Sequence, residues 1–187
     1  MALYHFHVSR VLRSRGQSSV ESAAYRAGER LEDRYYGKIA DYTAKGGVIC
    51  SEILAPDYVP EPFHNREYLW NAVEEIEKHP KAQLAYSFDF ALQNEFSLEE
   101  NITIARQFVM ENFVAKGMIV DMVNSSHEQY PQLGRGNCVG TNRIYDNILP
   151  DFIFDVVRLP ASRSSISCVS KKDRNRALNV LMFLPLV

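Results

Sequence analysis

The sequence predicts an α+β fold around a single core. Three observations carry this: apolar stripes at helical spacing that begin at cap-type serines and an asparagine, alternating strand-like runs between them, and 187 residues of which 46% are hydrophobic. That length supplies one domain core and a small appendage.

Residues 2 to about 11 read as a strand, where alternation puts His5 and His7 on one face. A helix is expected from Ser18 to about Arg34. Ser18 and Glu21 have capping-box spacing, and Val20, Ala23, Ala24, Ala27 and Leu31 form a narrow, alanine-rich face that lets a helix lie close to a sheet. Tyr25 flanks that face. Arg26, Arg30 and Arg34, at steps of four, line up on one side, which suits a phosphate backbone or, as readily, a solvated charged surface.

DYTAKGG reads as an irregular turn into a short strand at 48 to 54, and Pro56, Pro60 and Pro62 mark a loop. Asn65 caps a helix running to about His79, with Leu69, Val73 and Ile76 inward and Pro80 stopping it. Leu84, Tyr86, Phe88, Phe90 and Leu92 alternate as a strand whose polar side carries Asp89. Ser97 and Glu100 form a second capping box before a stripe of Leu98, Ile102, Ala105, Val109 and Phe113, which Gly117 ends. Residues 118 to 123 are again strand-like. Beyond Val123 the character changes: 124 to 147 is polar and aperiodic, 151 to 159 reads as a strand, 162 to 176 as a basic loop, and NVLMFLPLV as an uncharged apolar ending.

Cys50, Cys138 and Cys168 are odd in number and far apart, so neither a zinc ribbon nor a disulfide framework is indicated and a reducing cytoplasm is expected. No leader-like start and no run of membrane-spanning length is present, which points to a soluble intracellular protein. The net charge of −2 is segregated: residues 1 to 38 carry +3, residues 51 to 123 carry −8, and the remainder after 123 carries +3. The basic first segment, with Arg10, Arg13, Arg15 and the helical arginines, is the candidate surface for a DNA strand, and the acidic middle is the side turned away.

MALYHFHV, GQSSVESAAYRAGERL, DYTAKGGVICSEILAP and NREYLWNAVEEIEK, in that order and spacing, resemble the start of the MobA/MobL family of plasmid mobilisation relaxases. The resemblance covers residues 1 to about 123, and its most specific pieces are SAAYRAGE, DYTAKGGV and REYLWN. It implies an antiparallel sheet with helices packed on one side, of the His-hydrophobic-His tyrosine nuclease type. It also implies an enzyme that nicks single-stranded DNA at a plasmid transfer origin, with that DNA and other mobilisation proteins as partners. Tyr25 is then the nucleophile that joins the 5′ phosphate, with Arg26, Arg30, Arg34, Arg10 and Arg13 as candidate DNA contacts. A phenol, with a reference pKa of about 10, needs help to attack a phosphodiester, and a divalent metal, Mg or Mn, is the implied source. Tyr4, Tyr35, Tyr36 and Tyr42 are rival nucleophiles on chemistry alone; Tyr35 and Tyr36 are expected to pack at the helix end.

The resemblance implies a metal site after the strand that follows the third helix, as one histidine and then Pro-His-x-His. Here GMIVDMV is followed by NSSHEQYPQLGRGNCVG, without that pattern, and His127 stands alone in a polar stretch. His5, His7 and Asp89 are weak substitutes, two histidines without a third ligand being a poor site. Where the family has an arginine and a glutamate ahead of Asp89 and a proline after it, this chain has Tyr86, Ser87 and Gln93. Residues 1–123 are therefore expected to be the N-terminal part of a relaxase domain and 124–187 a divergent tail, frameshifted or disordered, leaving an incomplete domain whose activity is open. The alternatives are a noncatalytic single-stranded DNA-binding remnant and a rolling-circle replication initiator, the latter disfavoured because its metal histidines precede the tyrosine.

Overall fold

The computed structural model of the chain describes residues 6–91, 96–125, 151–158 and 167–168. In chain order the elements are β1 (Phe6–Leu12), α1 (Ser19–Ala27), β2 (Arg30–Asp33), β3 (Lys38–Asp41), β4 (Val48–Leu54), α2 (Arg66–Ile76), β5 (Gln83–Ala91), α3 (Leu98–Asn112), β6 (Met118–Ser125), β7 (Asp151–Arg158) and β8 (Ser167–Cys168). Five strands form an antiparallel sheet in the order β1-β5-β7-β6-β4, with β8 added to one end of β7. β2 and β3 form a separate hairpin.

Strand alternation gives the sheet two apolar faces, and each is covered. Val11, Ala85, Ile119 and Val157 meet Val20, Ala23 and Ala24 of α1 and Leu69, Trp70 and Val73 of α2. On the other face Tyr86, Phe88, Val120, Met122 and Val156 meet Ala105, Phe108 and Val109 of α3. The antiparallel α+β architecture is the expected one; packing on a single side describes α1 and α2, while α3 takes the opposite face. An alanine face on α1 serves the close approach, since small side chains let the helix backbone lie near the strands.

Helix α1 is much shorter than the periodicity from Val20 to Leu31 suggests. Gly28 adopts the left-handed conformation (φ 65°), its N–H bonding to Ala24 O, and the Glu29 N–H bonds to the same carbonyl at 3.1 Å. A Cβ at that position would lie 3.3 Å from Lys45 O, so glycine both closes the helix and admits the neighbouring turn. Leu31 stays buried, but as an inward residue of β2. The capping box expected at α1 is half formed. Ser18 Oγ accepts from the Glu21 N–H at 3.1 Å, whereas the Glu21 carboxylate holds Lys38 and Tyr42. At α3 the box is complete.

The segment read as a divergent tail contributes the middle of the sheet. β7 pairs with β5 on one side and β6 on the other, Tyr86↔Val156 and Val120↔Val156 being matched positions. The rest of 124–187, apart from Asn124 and Ser125 at the end of β6 and the short β8, lies outside the described residues.

Candidate functional site

Tyr25 sits near the C-terminal end of α1 and is 47% exposed on a helix whose neighbours Ala23, Ala24 and Ala27 are buried. The DYTAKGG turn wraps this helix end. Lys45 Nζ donates to the carbonyls of Tyr25 (2.8 Å) and Arg26 (3.1 Å), answering the unpaired acceptors of a helix terminus. It also stands 4.5 Å from the centre of the Tyr25 ring. Burial, and then the Arg26 charge, lower the Lys45 ammonium below its ordinary value. Tyr42 packs edge-on against Tyr25, ring centres 5.3 Å apart, while its own hydroxyl donates to Glu21 at 3.3 Å. Burial and Glu21 raise the Tyr42 phenol above its ordinary value.

Beneath α1 a polar row crosses the otherwise apolar sheet: Ser9, Ser87, Asp155 and Asp121 are register partners on β1, β5, β7 and β6. Two arginines from the helices neutralise its carboxylates. Arg26, next to Tyr25, pairs with Asp155. Arg66, the first residue of α2, grips Asp121 with Nε and Nη2 at 2.8–3.1 Å, gives Nη2 to Ser51 Oγ at 2.7 Å, and pairs through Nη1 with Glu29. The Trp70 indole N–H donates to Asp121 Oδ2 at 2.8 Å. Burial works against the Arg66 charge, but Asp121 and Glu29 outweigh it and hold the guanidinium above its ordinary value. At Arg26 burial prevails over the charges of Asp121 and Asp89, and the guanidinium is lowered. Glu29 also accepts the Tyr42 N–H at its carbonyl (3.2 Å). SAAYRAGE, DYTAKGGV and REYLWN thus meet around one helix end.

The arginine row does not exist as a row, because α1 ends before Arg30. Arg30 and Arg34 lie on and just after β2, each exposed and 3.8 Å from an acid, Asp41 and Glu67. Arg13 is buried, paired with Glu74 at 2.8 Å and stacked 3.8 Å from the Tyr35 ring centre, which makes it a core ion rather than a DNA contact. Arg10 is exposed, but by strand alternation it shares the face of Phe6 and Val8, the face that α3 covers. Tyr35 and Tyr36, expected to pack at a helix end, are exposed in the hairpin turn.

His7 and Asp89 are matched across β1 and β5, with Nδ1 4.0 Å from Oδ2. They are the two weak metal candidates that come together; His5 and His127 lie outside the described residues. Among the described residues no three histidine, cysteine, aspartate or glutamate side chains gather as a metal site. Asp121 and Asp155, the carboxylates of the polar row, are committed to arginines. The described donor set therefore does not fit a divalent ion.

Fold and site together define an antiparallel α+β domain with an exposed tyrosine on a short helix, locked to the sheet by arginine–aspartate pairs. The family model described as the MobA/MobL family matches residues 17–140, and the chain belongs to that family. It is 39% identical over 133 residues to "Probable conjugal transfer protein TraA" of Sinorhizobium fredii, covering 66% of this chain and 12% of that protein. Identity is 36% over 105 residues to "Mobilization protein MobL" of Acidithiobacillus ferridurans, covering 56% of this chain and 27% of that one. This chain thus spans about an eighth of the length of the first of these relatives and about a quarter of the second. A solved structure described as "Molecular Basis of Vancomycin Resistance Transfer in Staphylococcus aureus" superposes with TM-score 0.75 at 25% identity, covering 96% of this chain and 88% of that one. Among the described residues no helix is long and apolar enough to cross a membrane.

Proposed function

We propose that this chain is the tyrosine-bearing domain of a DNA relaxase serving plasmid mobilisation or conjugal transfer, acting on single-stranded DNA at a transfer origin. The observation that carries the reading is Tyr25: it is exposed, stands in the family's SAAYRAGE block, and sits on a helix end fixed by Lys45, Glu29 and Arg26. In the proposed step the Tyr25 oxygen attacks the scissile phosphorus, the P–O3′ bond breaks, and a 5′-phosphotyrosyl bond forms. The phenol proton leaves to solvent and the departing 3′ oxygen is protonated. Attack by a 3′ hydroxyl on the same phosphorus restores the strand and the tyrosine. Names of the curated relatives, which speak of conjugal transfer and mobilisation, support the biological setting.

Two of the rival nucleophiles fare less well, and Tyr4 lies outside the described residues. Tyr42 has its hydroxyl committed to Glu21, and burial together with nearby acids keeps both Tyr42 and Tyr36 protonated beyond the ordinary range. A noncatalytic single-strand-binding module is the second reading, favoured by the lack of a three-ligand metal set among the described residues.

One experiment separates the two. The purified chain is incubated with a 3′-labelled pool of randomised single-stranded oligonucleotides, with chelator, Mg²⁺ or Mn²⁺, and resolved under denaturing conditions. A label that stays with the protein, vanishes in Tyr25→Phe and survives in Tyr42→Phe is the expected result, and the chelator and metal samples show whether an ion takes part. Binding without any denaturation-resistant label would establish the second reading instead.

A further inference from the structure

Apolar side chains exposed on a monomer are ordinarily scattered, and a contiguous group marks a contact surface. Here Tyr25, Tyr35 and Tyr36 are 47%, 49% and 39% exposed. They belong to one continuous track over α1 and the β2–β3 hairpin. Tyr25 meets Tyr42 at 5.3 Å, and the Tyr42 hydroxyl reaches Glu21. Glu21 holds Lys38 Nζ at 2.6 Å, Lys38 stands 5.4 Å from the Tyr36 ring centre, and Tyr36 meets Tyr35 at 4.9 Å.

Cations accompany the rings: Lys45 at Tyr25, Lys38 at Tyr36 and Arg13 at Tyr35. Covering the buried Arg13–Glu74 pair accounts for Tyr35, but it does not require Tyr36 or Lys38. Glu21, the acid within the track, spends one oxygen on Lys38 and the other on Tyr42, so it fixes their side chains while its charge is met by the ammonium.

We propose that this track is a stacking platform for the bases of a single DNA strand, leading to or from the phosphate at Tyr25. It rests on the reading of Tyr25 as the residue that meets DNA. Flat rings with Lys38 and Lys45 beside them suit that ligand, because every base offers a π face and every linkage a negative phosphate, while the buried Arg13 only backs the Tyr35 ring. Tyr36 is the informative residue, being exposed and outside the reacting centre.

The test uses the full chain and a fluorescein-labelled single-stranded dT oligonucleotide, with affinity read by anisotropy for wild type, Tyr36→Leu and Tyr36→Trp. Loss of one stacked base predicts about tenfold weaker binding in Tyr36→Leu, with an unchanged unfolding midpoint. Tyr36→Trp should bind at least as tightly as wild type, and oligonucleotide should quench its indole emission above the constant signal of buried Trp70. Equal affinity of Tyr36→Leu and wild type, with unquenched emission, overturns the platform while leaving adduct formation at Tyr25 standing. A duplex competing as well as the single strand also overturns it. If wild type binds no single strand at all, the platform and the proposed function fall together.

Discussion

Arg66 shows how much of this domain rests on single buried charges. Its guanidinium joins α2 to β4, to β6 and to the turn after α1 through Ser51, Asp121 and Glu29. Removing it leaves Asp121 facing only the Trp70 N–H at close range on the α2 side. Arg66→Ala is expected to destabilise the fold by about 3–5 kcal/mol, measured by denaturant unfolding, because a buried carboxylate loses its counter-charge. Arg66→Lys should recover only part of this, since a lysine offers one compact ammonium where the arginine fork satisfies several acceptors at once. None of these pairings was legible in the sequence. REYLWN and SAAYRAGE stand out as blocks, but Arg66 and Asp121 are 55 positions apart, and no spacing rule links such residues. The same limit made Arg13 look like a surface cation, when its partner Glu74 lies on a helix read only for its apolar stripe.

At the level of elements, local signals served well wherever a helix was announced and ended by its own chemistry. Asn65 caps α2 by accepting the Tyr68 N–H at 2.9 Å, and the Ser97–Glu100 box opens α3. The error at α1 came from weighing period over punctuation: Leu31 fits a helical face, but Gly28 had already stopped the helix, and the RLED and KIAD strands are too short to announce themselves. The α3 cap carries a pH prediction. Backbone and hydroxyl hydrogen bonds from Ser97 hold the Glu100 carboxyl below its ordinary value of 4.5. The ionised form is therefore favoured by folding. Its contribution is complete above that ordinary value and is lost as pH falls through the lower folded one. Helical circular dichroism and the protection of α3 amides from exchange should weaken over that acid range, and Glu100→Gln should flatten the response.

For the whole molecule, the decisive feature is the place of β7. The motif blocks legible in the sequence end near residue 123, while the family model matches as far as residue 140, and the sheet respects no boundary at 123. β7 lies between β5 and β6, so a chain ending at residue 123 leaves both with open edges in the middle of the domain. Val156 and Val157, fully or almost fully buried, would be missing from the two apolar faces. Asp155 would be missing as well, leaving Arg26 without its ion-pair partner beside Tyr25. Unpaired central strands expose backbone donors and acceptors together with apolar side chains, a combination that favours association between chains over folding. A fragment of residues 1–123 is accordingly expected to be aggregated or to lack a cooperative unfolding transition, whereas the full chain unfolds cooperatively. Calorimetry and size-exclusion chromatography on the two proteins decide the matter. A monomeric fragment with a sharp transition would show that β5 and β6 can close on each other without the strand between them. The sequence alone could not place β7 there, because DFIFDVVR announces a strand but not its neighbours, and the partners it finds in β5 and β6 lie far from it in the chain.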